Sequence, residues 1–162
     1  MRILPLMGGL AGAVALSQFP EFSQQYLQRL GGQADALAAM VAEFDASATR
    51  AGLTREAALA DLSSSAFQNL HQADMRAAIA RAGRAQADLA LLRAASPLER
   101  LALPHRFRDT ETLRATWAEF RPAVPVSTDG FVSAGIGFAG GWGLVALGLG
   151  AVMAPFRRSL RA

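Results

Sequence analysis

Two uncharged apolar runs bracket this chain, and between them hydrophobic residues recur every three or four positions. The C-terminal run extends from Gly130 to Phe156 without a charged side chain, and Arg157, Arg158 and Arg161 follow at once. A helix over Phe131 to Ala154 would measure about 36 Å, enough to cross a hydrocarbon layer of roughly 30 Å with some tilt. The N-terminal run, Ile3 to Phe19, would measure about 26 Å, short but workable in a bilayer that thins slightly. Pro5 falls in its first turn, where a missing N–H costs least. The same N-terminus also has the parts of a cleavable secretory leader: Arg2 as the basic start, Ile3 to Gly12 as the apolar stretch and Ala13-Val14-Ala15 as a small-x-small site. A retained anchor is the expectation adopted. The pattern divides the chain into an anchor at 1–19, a helical domain at 20–129, a second span at 130–156 and a basic tail at 157–162.

The middle is amphipathic. Phe22, Tyr26, Leu30, Ala34, Leu37, Val41 and Phe44 form a stripe at helical spacing, with Gln24, Gln25, Gln28, Asp35 and Glu43 elsewhere. This predicts a helix from about Pro20 to Thr49, ended by a turn at Ala51-Gly52. Thr54 is placed to cap a short helix carrying Glu56 in its first turn. Ser63-Ser64-Ser65 interrupts that helix, and Ser64 or Ser65 can cap the next, from about Ala66 to Ala95. Its stripe runs through Phe67, Leu70, Met75, Ala78, Ala82, Leu89 and Leu92, and its Ala-rich centre permits a close helix approach. The two long helices are expected to form an antiparallel hairpin. Ser96-Pro97-Leu98-Glu99 reads as a capping box with Pro at the first helical position, followed by a short helix that stops before Pro104. Asp109 can cap a last short helix, Thr110 to Arg121, with Leu113, Trp117 and Phe120 on one face. Phe107, Trp117 and Phe120, close in sequence to the second span, are expected at the lipid headgroup level or else packed on the hairpin. Ser127, Thr128 or Asp129 can cap that span.

Small residues recur at helical spacing in both apolar runs: Gly8 and Gly12 in the first, Ser133, Gly137 and Gly141 in the second, with Gly148 a heptad beyond Gly141. In lipid such rows let helix backbones approach closely, within one chain or between chains.

Charge adds a topology. All sixteen basic residues are Arg, and four of them, Arg2, Arg157, Arg158 and Arg161, lie at the ends. The other twelve share residues 20–129 with all thirteen acids, so the middle is nearly neutral. A clustered basic face for nucleic acid is therefore not expected. By the positive-inside rule both ends would stay in the cytoplasm and the middle would be periplasmic. Arg157, Arg158 and Arg161 would sit at the membrane interface. With no Cys there is neither a disulfide framework nor a thiol site.

No catalytic constellation emerges. His71 and His105 lack the spaced partners of a zinc site, and the serine triplet lacks a nucleophile elbow. Gly135-Ile136-Gly137-Phe138-Ala139-Gly140 neither follows a strand nor precedes Lys-Ser/Thr, and it lies inside an apolar run, so it is no nucleotide loop. No metal, cofactor or catalytic residue is expected. His105-Arg106-Phe107-Arg108 is a small basic-aromatic cluster that could touch anionic headgroups or simply form a solvated turn.

The segments GGLAGAVALSQFPEFSQQYLQRLGG, GLTREAALADLSSSAF and PHRFRDTETLRATWAEFRPAVPVSTDG together resemble a family of small alphaproteobacterial membrane proteins known only as a domain of unknown function. The resemblance covers nearly the whole chain and implies a bacterial inner-membrane setting, with no residue roles to carry across. The expectation is thus an all-α protein with two transmembrane helices flanking a periplasmic helical hairpin. Its function would be non-enzymatic: self-association through Gly/Ala-rich helices to organise or scaffold the inner membrane. The alternative is an accessory or assembly subunit of a larger membrane complex. Its partners would be the lipid bilayer, further copies of itself or other membrane subunits, and not nucleic acid.

Overall fold

A computed structural model describes residues 3–122 and 127–159, with side chains described as far as residue 152. Among these residues every regular element is helical: α1 (Ile3–Ser17), α2 (Phe19–Arg50), α3 (Arg55–Asp61), α4 (Ala66–Ala94), α5 (Thr110–Glu119) and α6 (Thr128–Ser159), with short 3-10 segments at Glu99–Ala102 and Pro104–Arg106. Two stretches, one beginning at Ile3 and the other at Thr128–Val152, are long and apolar enough to cross a membrane.

Local chemistry accounts for most helix ends. Pro20 has no N–H and its ring would collide with the carbonyl four residues earlier, so the chain cannot run as one regular helix through this point. The break falls at Gln18, whose N–H reaches Ala15 O at 3.4 Å, three residues back, before α2 restarts with Phe22 N bonded to Gln18 O at 3.0 Å. At the other end of α2, Gly52 adopts φ 73°, a conformation that favours glycine. Gly52 N then bonds Thr49 O and Leu53 N bonds Ala48 O, each at 2.9 Å, which closes the last turn in a Schellman motif. Thr54 and Ser65 cap α3 and α4, their hydroxyls accepting from Ala57 N and Gln68 N at 3.2 Å. Asp109 caps α5 through Thr112 N at 3.0 Å, and Ser127 caps α6 through Gly130 N at 3.2 Å. After Pro97 the expected short helix is a single 3-10 segment, Glu99–Ala102, which does end before Pro104.

The chain forms two compact units. The first comprises Met1–Gln24, Pro97–Ala102 and Glu119–Ala162. In it α1 packs along α6. Beyond the pair, Phe22 and Phe120 meet edge to face with ring centroids 5.5 Å apart. Arg100, only 6% exposed, donates to Ser23 Oγ at 3.4 Å and Gln24 Oε1 at 3.5 Å.

The second unit comprises Gln25–Ser96 and Leu103–Ala118. Its core joins Tyr26, Leu27, Leu30 and Ala34 of α2 to Ala85, Leu89 and Leu92 of α4, with Leu103, Phe107 and Leu113 packed against them. The apolar stripe of α4 is only half used. Ala82, Ala85, Leu89 and Leu92 are buried, whereas Phe67 and Leu70 near its N-terminus are 77% and 68% exposed. At that end the packing is mainly polar: Gln72 Nε2 donates to Leu59 O at 2.6 Å, Arg76 pairs with Glu56 at 2.9 Å, and Arg55 pairs with Asp45 through Nε at 2.7 Å. Among the described residues, Leu59 is the fully buried large apolar side chain at that end.

Candidate functional site: a glycine-lined helix pair and a polar cleft

The α1–α6 contact is built from absent side chains. A Cβ placed on Gly12 would collide with the carbonyl oxygen of Gly137, and one on Gly137 would collide with that of Gly12. Gly8 and Gly141 form a second reciprocal pair, in which a Cβ on Gly8 would lie 2.8 Å from Gly141 O. Because the position numbers rise in one helix as they fall in the other, the two helices run antiparallel. Gly9 receives the ring of Phe138, with Cε2 2.8 Å from the position of a Cβ. In lipid, whose tails are as apolar as such helices, association would have to come from close packing, and a backbone-to-backbone seam provides the densest contact.

Ser133, one turn before Gly137, is fully buried, and its Oγ has no hydrogen-bond partner among the described residues. Gly148 lies apart from this seam, with no atom of the described residues within 4 Å of where its Cβ would sit. The side chains on the outward faces are apolar and exposed: Val14 by 68%, Leu144 by 75% and Leu147 by 75%. The structure thus gathers Gly8, Gly12, Gly137 and Gly141 into one seam and leaves Gly148 outside it.

The expected interface aromatics separate. Phe107 belongs to the core of the second unit, its ring 4.8 Å from that of Tyr26. Phe120 lies against Phe22 in the first unit. Trp117 is 72% exposed. The face of α5 that is buried carries Thr112 and Thr116, at 1% and 2% exposure, rather than Trp117. Hydrogen bonding makes those threonines suitable: Thr116 Oγ1 donates to Thr112 O at 2.7 Å, and Thr112 Oγ1 lies 2.6 Å from the Gln33 amide. With its nitrogen turned to Thr112 Oγ1, Gln33 accepts from Arg81 Nη2 at 2.6 Å, so both ends of the amide are satisfied. The side chains of Arg157 and Arg158, and all of Arg161, lie outside the described residues.

Pattern reading missed a cleft of about 350 Å³ within the second unit, lined by Arg81, Arg84, Ala85, Asp88, Arg108, Asp109, Thr110 and Glu111. Two charge clusters form its walls. Arg81 grips Asp109 with Nε and Nη2, both at 2.9 Å, and holds Glu111 through Nη1 at 2.6 Å. This fork-to-fork geometry is the strong form of an Arg–carboxylate pair. It holds the Asp109 carboxyl at about 2, below its ordinary 3.8, with the Thr112 amide helping and burial opposing. In the second cluster Asp88, whose side chain is 5% exposed, takes Arg108 through Nε at 2.6 Å and Nη2 at 3.2 Å, and Arg106 through Nη1 at 3.2 Å. Arg84 has no ion pair or hydrogen bond among the described residues. Of this cleft the sequence offered only the cluster His105-Arg106-Phe107-Arg108. Its guanidinium groups turn inward to Asp88 because an otherwise buried, unpaired carboxylate would be costly.

Over residues 1–158 the chain matches the family described as protein of unknown function (DUF2937). The chain belongs to that family. Neither the curated proteins nor the solved structures include a match. Family membership therefore agrees with the resemblance in one respect, a domain of unknown function over nearly the whole chain, and brings no residue roles with it.

Proposed function

We propose that this chain is a non-enzymatic integral protein of a bacterial inner membrane that self-associates to organise or scaffold that membrane. The observation that carries the reading is the α1–α6 pair, which is sealed by glycine backbone contacts and exposes apolar side chains outward. In water such outward faces would be a liability, whereas in lipid they are the solvated surface. Both termini are cytoplasmic, in keeping with the arginines outside the apolar runs, and the helical unit is a periplasmic α2–α4 hairpin.

The intrachain seam uses Gly137 and Gly141, so contact between copies goes through the remaining small residues of α6. Among the described residues, Gly135, Gly143, Gly148 and Gly150 have no atoms within 4 Å of their Cβ positions and leave room for a second backbone. Exposed Leu91 and the many alanines of α4 offer a further close-packing surface in the helical unit.

The test is gentle extraction of the tagged full chain, followed by measurement of particle mass and subunit composition. A homogeneous particle of this chain alone, reduced in size by Gly143→Leu, supports self-assembly. Foreign subunits at fixed ratio would overturn it in favour of an accessory role in a larger membrane complex. A reporter active only in the periplasm, fused after Ala162, should stay silent, and its activity would overturn the assigned topology.

A further inference from the structure

We propose that the cleft of the second unit is a binding site for a small phosphate-bearing anion, with Arg84 as its principal contact. The charges of the cleft are distributed so that one guanidinium is left over. Asp109 and Glu111 are both committed to Arg81, and Asp88 is committed to Arg106 and Arg108. Arg84 lines the same cavity with no carboxylate of its own among the described residues. Three lining arginines thus face three lining acids, and because Arg81 takes two of those acids while Arg108 takes the third, the exposed Arg84 is left beside open space without a carboxylate among the described residues.

The committed arginines also assist. Arg108 uses Nε and Nη2 on Asp88, which leaves Nη1 available, and its side chain is 48% exposed. Glu111, 71% exposed, can swing out of the cleft and release Arg81 Nη1. An entering anion would therefore meet Arg84 and the free edges of two guanidinium groups already held in place, and less rotamer freedom is lost when such groups are fixed beforehand. The end of α5 supplies none of this charge, because the Asp109 carboxylate already occupies it. A volume of about 350 Å³ lies at the small end of ligand cavities and suits a phosphate or phosphomonoester with little attached. The rigid arginine fork matches phosphate geometry better than a lysine would, and this chain uses Arg for every basic residue.

Free phosphate and a phospholipid headgroup offer the same chemistry, and the experiment separates them. Detergent-solubilised full-length chain is titrated calorimetrically with inorganic phosphate and, separately, with dihexanoyl phosphatidylglycerol below its micellar concentration. The variants are Arg84→Gln and, as a control of equal charge change on an exposed residue outside the cleft, Arg114→Gln. Saturable binding of either probe, weakened about tenfold by Arg84→Gln and unchanged by Arg114→Gln, is the expected result. Phosphate binding assigns a soluble ligand, and binding of the lipid alone assigns a headgroup. No saturable binding, or equal weakening by both variants, overturns the proposal. An unchanged melting temperature for Arg84→Gln verifies that its loss is local, and Arg84→Lys should recover only part of the affinity, since one ammonium cannot reproduce the fork.

Discussion

The two units of this protein solve close packing in opposite ways. In the first, α1 and α6 meet where side chains are missing, and carbonyl oxygens fill the places of absent Cβ atoms. In the second, α2, α4 and α5 meet through large apolar side chains and through arginines gripping carboxylates. The difference fits the proposed setting, lipid around the first unit and water around the second. Apolar side chains gain nothing by leaving lipid for one another, so only denser contact favours the glycine seam. In water the burial of Tyr26, Leu30 and Leu92 is itself a driving force, and charged partners can reach one another across the remaining gaps. A single added methylene is thus a serious insult to one unit and a tolerable one to much of the other.

The most damaging substitution should be Gly12→Leu, because the obstacle it meets is the Gly137 carbonyl, which cannot rotate away. A loss of about 3 kcal/mol is expected for the helix pair, read as a shifted midpoint when Trp142 fluorescence is followed during SDS titration of mixed micelles. Gly143→Leu, which meets nothing within 4 Å, should leave that midpoint in place. Equal effects from the two would erase the claimed difference between the faces of α6. Gly9→Ala should fall between them, since the atom it meets belongs to the Phe138 ring, which can shift.

In the helical unit the largest effect should come from Asp88→Ala, which leaves Arg106 and Arg108 facing each other without their carboxylate. Removing one partner of a fully buried pair costs 3–5 kcal/mol. Both arginines here retain solvent contact, so about 2 kcal/mol is expected in urea denaturation followed by circular dichroism. Asp109 adds a pH dependence. Its carboxyl titrates at about 2 when folded against an ordinary 3.8, so its contribution is present above about pH 4 and is lost as pH falls through 2. That contribution is on the order of 2 kcal/mol, and the stability gap between the wild type and Asp109→Asn should close across this window. A gap that stayed constant down to pH 2 would show that the Arg81 pair does not perturb the carboxyl. The smallest expected effect is Ser65→Ala, about 1 kcal/mol for the lost cap on Gln68 N, visible as a small drop in urea midpoint.

The helix starts and stops were legible in the residues because they are local events. Thr54, Ser65 and Asp109 cap the helices they were expected to cap, and Ala51-Gly52 turns the chain. Each of these needs only a hydrogen bond between residues a few positions apart or one permissive backbone angle. The stretch after Ser96 carried a strong capping-box pattern yet forms only a 3-10 segment, so a good start signal did not guarantee an α-helix to follow. Of the stripe Leu113, Trp117 and Phe120, Leu113 packs against the core and Phe120 against Phe22, and only Trp117 departs from the expectation, for a related reason. Spacing indicates which residues share a face, but not which way the finished helix is rotated, and tertiary packing turned Thr112 and Thr116 inward while Trp117 stayed exposed.

By itself, then, the sequence determined the all-helical character, the two apolar helices of spanning length, the capped ends and the rows of small residues, because these rest on composition, local bonding and periodicity. Tertiary structure alone decided that Gly12 faces Gly137 and Gly8 faces Gly141, that Phe107 lies beside Tyr26, and that Arg81 reaches Asp109 while Arg108 reaches Asp88. Those contacts join residues about twenty or more positions apart. Each depends on the rotation and depth at which two helices pack, and that is settled by the whole set of contacts together rather than by any one stretch of chain.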